Sequence, residues 1–77
     1  MRESMEAAFL IVREHLKEYG RKFRNMRHKA KLSQLTASRM IGCSQAIISH
    51  IECGYMLPPT RIECALFELY KKGFNEL

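Results

Sequence analysis

The 77-residue chain has no long hydrophobic run. Its longest apolar block, AAFLIV at 7–12, follows Glu6 and precedes Arg13. That falls far short of the ~20 residues of a membrane helix, and the flanking charges do not read as a secretory signal. Cysteine is scarce and odd in number: Cys43, Cys53 and Cys64, with no CxxC pair. This argues against a structural zinc site or a disulfide framework. Three free thiols in a reducing compartment are expected, and the cytoplasm is the expected location. There is no Gly-rich phosphate loop and no Ser-His-Asp-like set, so an enzyme is not expected. His50 and Cys53 stand three apart, but nothing supplies an oxyanion hole, and two ligands are too few for a metal site. No cofactor or small-molecule ligand is evident. Strand signals, internal repeats and low-complexity linkers are also missing. A chain this short makes one small domain with a thin core, for which a homodimer is a natural source of extra stability.

What is present is concentrated positive charge. The net charge is +5. Residues 1–19 carry three basic and four acidic groups, and both 32–54 and 55–77 balance to zero. Residues 20–31 carry six basic groups (Arg21, Lys22, Arg24, Arg27, Lys29 and Lys31) and no acid. A positive patch on a small protein suits a polyanion, although a solvated helix face looks the same by composition.

Hydrophobic spacing predicts helices throughout. Met5, Ala8, Phe9, Val12, Leu16 and Tyr19 form one stripe over 3–19, widened by Leu10 and Ile11, with Gly20 a stop or kink. A second helix follows through RKFRNMRHKAKL. Ser33 caps a third, QLTASRMI, that ends at Gly42, and Ser44 caps a fourth, QAIISHIEC, that ends at Gly54. Pro58 and Pro59 break the chain before Thr60 caps the last helix, RIECALFELYKK, which Gly73 stops. The fold class is all-α with five helices.

Two of these helices meet at GCS, residues 42–44. Counting from Gln34 as one, Ser38 is fifth, Gly42 ninth, Ile48 fifteenth and Ile51 eighteenth. This is helix-turn-helix spacing. The fifth position must be small where two axes approach, and the ninth favours glycine for a left-handed turn. The fifteenth and eighteenth point into the core, opposite Ala37 and Ile41.

The stretch LSQLTASRMIGCSQAIISHIECG resembles the Cro/phage-repressor family of helix-turn-helix DNA-binding domains. That family typically runs Ser/Thr-Gln, two or three residues, Leu-Ala, three residues, Gly, then Ser-Gln-x-x-Ile-Ser-x-Ile-Glu-x-Gly. The likeness covers about residues 20–72 and is most specific in SQAIISHIECG. Ser38 replaces the usual Ala and Ala37 the usual Leu, which puts the packing of the two helices in question. It implies a lambda-repressor-like DNA-binding domain over 20–77, with residues 1–19 an extra N-terminal helix for packing or dimerisation.

On a helical wheel, Ile48 and Ile51 share a face with Ser44 and, marginally, Ile47. Ala46, Ser49, His50 and Cys53 lie opposite, with Gln45 at the leading end. The second face suits a DNA major groove. Gln45 is matched to adenine N6 and N7, Ala46 to a thymine methyl, and Ser49 and His50 to guanine or phosphate. The plain alternatives are an ordinary exposed Gln45, a surface His50 and a core Ile47. Gln34, Arg39, Ser44, Lys31 and Tyr55 are the phosphate candidates; Gln34 holds a position that commonly has this role in the resembling family. Neutralising ~4–6 phosphates per protomer makes binding steeply salt-dependent. The resemblance further implies a largely buried ion pair between Arg27 and Glu52, so that Arg27 is structural.

The expected partner is double-stranded DNA, bound by a homodimer on a palindromic operator for transcriptional control, as in phage regulators or restriction–modification controllers. The dimer interface falls either on Phe9, Val12 and Leu16 or on Leu69, Phe74 and Leu77. The rival is an antitoxin or adaptor that works through protein contacts. Non-specific RNA binding is weaker, because RNA readers display stacking aromatics and only Tyr55 and Tyr70 are candidates.

Overall fold

The computed structural model describes the backbone of residues 2–75 and the side chains of residues 10–72. Four helices and no strand occur among the described residues: α1 Arg2–Lys29, α2 Gln34–Ile41, α3 Gln45–Glu52 and α4 Thr60–Asn75. The class is all-α, but the count is four rather than five. The two helices expected on either side of Gly20 are one 28-residue helix.

Gly20 explains the difference. It is buried inside α1. A Cβ there would overlap the Ile51 carbonyl oxygen and sit 2.7 Å from the Glu52 carbonyl oxygen. The residue is therefore a contact point that lets the end of α3 lie directly on the α1 backbone. Gly54 does the same from the other side. Its φ is +78°, and a Cβ there would lie 2.7 Å from the Lys17 Cα. Gly73 likewise does not end its helix, since α4 runs on to Asn75.

The core is built from every helix. Phe23 of α1, Ala37 of α2, Ile48 and Ile51 of α3, and Ile62, Leu66 and Tyr70 of α4 are buried together. Each large apolar side chain buried here contributes ~1.5–3 kcal/mol. Phe23 sits between two rings, edge-on to Tyr19 and tilted to Phe67, both with centroids at 5.0 Å. The Tyr19 hydroxyl donates to Glu63 Oε2 at 2.6 Å and ties α1 to α4. That bond, with burial and the Glu63 charge behind it, pushes the Tyr19 pKa up to about 12.

Among the described side chains of α1, those of residues 10–15 are exposed and lack this cover. At ~1.5 Å per residue α1 is ~42 Å long, in a molecule whose principal extents are 50 × 22 × 18 Å. Leu10, Ile11 and Val12 are each more than half exposed. No helix of the described residues is long and apolar enough to cross a membrane.

Candidate nucleic-acid interface

The α2–α3 pair is organised by its caps. The Ser33 hydroxyl accepts from the Thr36 N–H at 3.0 Å at the start of α2. The Ser44 hydroxyl accepts from the Ile47 N–H at 3.3 Å at the start of α3. Between them Gly42 takes φ +74°, and the Cys43 N–H donates to the Ser38 carbonyl at 3.0 Å. Ala37 and Ser38 are fully buried where the helices approach. A hydroxyl in such a place needs a partner, and Ser38 Oγ donates to the Leu35 carbonyl of its own helix at 2.7 Å. The small residue thus fits with no orphaned polar atom.

This turn fixes which side of α3 is covered. Ile48, Ile51 and Glu52 are buried. Gln45, Ala46, His50 and Cys53 are exposed, and Ile47 and Ser49 are half-buried. The exposed edge carries an amide, a methyl and an imidazole on a rigid eight-residue helix. Groups of these kinds match donors, acceptors and methyls on base edges.

A buried polar network holds α3 at its far end. Arg27 Nε donates to Glu52 Oε2 at 2.8 Å and Nη2 donates to Oε1 at 3.0 Å. Arg27 Nη1 donates to the Leu32 carbonyl at 2.9 Å. Gln34 Nε2 donates to Glu52 Oε1 at 3.2 Å. The Glu52 carboxylate ties together the ends of α1 and α3 and the start of α2, and the Arg27 guanidinium adds the link between α1 and α2. The hydrogen bonds to Glu52 raise the Arg27 pKa further, against an opposing effect of burial. Both side chains are almost fully covered, so this pair is a fixture of the fold.

The chain matches no protein-family model, no curated protein and no solved structure.

Arg39, Ser44, Lys31 and Tyr55 are exposed. Tyr55 stands beside His50, ring centroids 5.9 Å apart, so two of the candidate contacts are brought together. Gln34 is different. Its amide nitrogen is turned onto Glu52, which leaves its backbone N–H and one amide hydrogen for any other acceptor. In the basic stretch Arg27 is internal, whereas Arg21, Lys22, Arg24, Lys29 and Lys31 are exposed. Tyr70 is no stacking surface, because it is buried in the core. Its hydroxyl has no hydrogen-bond partner, and burial, helped by the Glu52 charge, pushes its pKa up to about 12.

Among the expected interface residues, Val12 is exposed and Leu16 half-buried, whereas Leu69 packs against the core. The side chains of Phe9 and Phe74, and all of Leu77, lie outside the described residues. Cys43, Cys53 and Cys64 are free thiols. No group of His, Cys, Asp and Glu among the described residues is placed to hold a metal.

Three features escaped the sequence reading. Lys31 has φ +59°; its N–H donates to the His28 carbonyl, and the next N–H to the Arg27 carbonyl. This left-handed C-terminal motif normally takes glycine, so a lysine gave no signal. The Gln34 bond to Glu52 and the Tyr19 bond to Glu63 join residues far apart in sequence, where spacing carries no information.

Proposed function

We propose that this protein is a sequence-specific double-stranded DNA-binding regulator. In this reading it has a lambda-repressor-like helix-turn-helix fold, with α3 as the helix that enters the major groove. The observation that carries the reading is the two-sidedness of α3. Ile48, Ile51 and Glu52 fix it to the body, and Gln45, Ala46 and His50 stand clear of the protein. Gln45, Ala46, Ser49 and His50 contact bases; Arg39, Ser44, Lys31 and Tyr55 hold phosphates. Gln34 contributes chiefly its backbone N–H at the α2 N-terminus, because its side chain is engaged by Glu52. The basic residues of α1 supply sequence-independent attraction. A single short helix covers few base pairs, so the protein acts as a homodimer on a palindromic operator. Its occupancy of that operator controls transcription.

Selection from a random DNA pool at moderate salt tests this. The expected product is a palindrome with half-sites about one helical turn apart. Recovery of no preferred sequence would overturn it. It would favour the second reading, an antitoxin or adaptor, for which the exposed turn Leu10–Val12 is the supporting observation.

A further inference from the structure

From the N-terminal half of α1, where Leu10, Ile11 and Val12 are exposed, we infer a homodimer interface in which two copies of this helix pair antiparallel, centred between residues 10 and 11. Along α1 and one residue beyond it, the apolar positions 5, 9, 12, 16, 19, 23, 26 and 30 alternate steps of four and three. That is a continuous heptad seam. Its second half is the protomer's own core: Phe23 is buried, and Tyr19, Met26 and Ala30 pack against the core cluster. Its first half continues the same seam past the end of the body, where Val12 is more than half exposed. The seam pattern is kept at Val12, where the protomer leaves more than half of the side chain uncovered. A helical segment of this length without tertiary cover is marginal in water.

The charges select a second copy as the occupant. Residues 1–19 are near neutral with both signs, whereas residues 20–31 carry six bases and no acid. The first segment is compatible with itself; the second is not. Antiparallel pairing about that centre layers position 5 against 16 and position 9 against 12, the mixed layering such pairs use. It also places Glu6 and Arg13, which flank the seam at equivalent heptad positions, across from each other twice. Parallel pairing gives no such match. The end of each partner helix then arrives at a groove of about 370 Å³ lined by Val12, His15, Leu16, Tyr19 and Leu57, where α1 meets the loop before α4. Leu57 is itself 65% exposed and gains a partner there.

One consequence rests on the DNA reading above. Gly20, against which the end of α3 packs, stands ~14 Å from the dimer axis along α1. The two copies of this point lie roughly 30 Å apart, comparable with the ~34 Å between successive major-groove faces.

Sedimentation equilibrium of the full chain without DNA tests the interface independently of any operator. Wild type is expected to be dimeric. Val12→Asp, at an exposed position, should raise the dissociation constant by roughly thirtyfold or more, as loss of an interface anchor does, while the core around Phe23, Ile48 and Leu66 stays folded and any loss of helicity is confined to the N-terminal part of α1. Glu6→Arg and Arg13→Glu should each weaken self-association, and an equimolar mixture of the two should restore it, since both cross pairs are then of opposite sign. A monomeric wild type, a Val12→Asp variant that dimerises like wild type, or a mixture no better than its components would overturn the proposal. A dimer with no DNA selectivity would keep this interface and reject the DNA reading instead.

Discussion

The inner and outer sides of α3 differ in what they have already spent their bonding capacity on. The inner side is saturated. Ile48 and Ile51 are about 1% exposed, the Glu52 carboxylate accepts from Arg27 and Gln34, and the helix end rests on Gly20. The outer side is unspent, with Gln45, Ala46 and His50 exposed. In the proposed DNA-binding reading, rigidity on one side serves the other. A polar side chain binds with less loss of freedom when its backbone is already fixed. Substitutions on the inner side should therefore register as stability, and those on the outer side as binding.

The most damaging break is Arg27→Met. It leaves Glu52 buried without its charged partner and should cost ~3–5 kcal/mol, read as a lower thermal or urea midpoint. An unchanged midpoint would show that the pair is not structural. Gly20→Ala comes next. The methyl has only backbone in front of it, the Ile51 and Glu52 carbonyls, so α1 and α3 must separate. A loss of ~1–3 kcal/mol is expected from overpacking, despite the better helix propensity of alanine. A neutral or stabilised variant would place the helices farther apart than described.

Both of these positions were differently legible in the sequence. The caps at Ser33 and Ser44, the turn at Gly42 and the alternation of buried and exposed residues along α3 follow from local rules, and local rules can be read along a chain. The Arg27–Glu52 contact came from a resemblance, not from spacing. Gly20 was misread because a glycine between two amphipathic segments signals a break as readily as a close approach. Only the position of α3 across α1 decides which. Tyr70, named with Tyr55 as a candidate stacking aromatic, is in the core instead, because its register on α4 turns it toward Ile62 and Leu66.

A smaller effect separates the two sides at one residue. Lys31→Gly relieves a left-handed lysine and should stabilise the protein by up to ~1 kcal/mol. The same change removes a phosphate candidate and should weaken binding alike for all DNA sequences, with a shallower salt dependence. Lower stability in that variant would mean that the Lys31 side chain holds the turn.

The smallest effect is expected inside the inner side itself. The Tyr70 hydroxyl has no partner, so Tyr70→Phe should leave stability near that of wild type at neutral pH or raise it slightly. The difference should appear in alkali. The folded state favours the neutral phenol, whose pKa rises from 10 to about 12. That contribution is complete below pH 10 and is lost as the pH climbs toward 12. Melting midpoints should accordingly fall less steeply over this window in Tyr70→Phe than in wild type. Equal slopes would mean that the hydroxyl is solvated.

The outer side is tested most directly by Gln45→Ala on a selected DNA site. Affinity for wild type and variant would be measured on that site and on its single-base substitutions, with melting curves taken in parallel. The expected result is a loss worth ~1–3 kcal/mol and a relaxed preference confined to one base pair per half-site, at an unchanged melting midpoint. Equal affinity and an identical base preference in the two proteins would contradict the assignment of α3 as the reading helix.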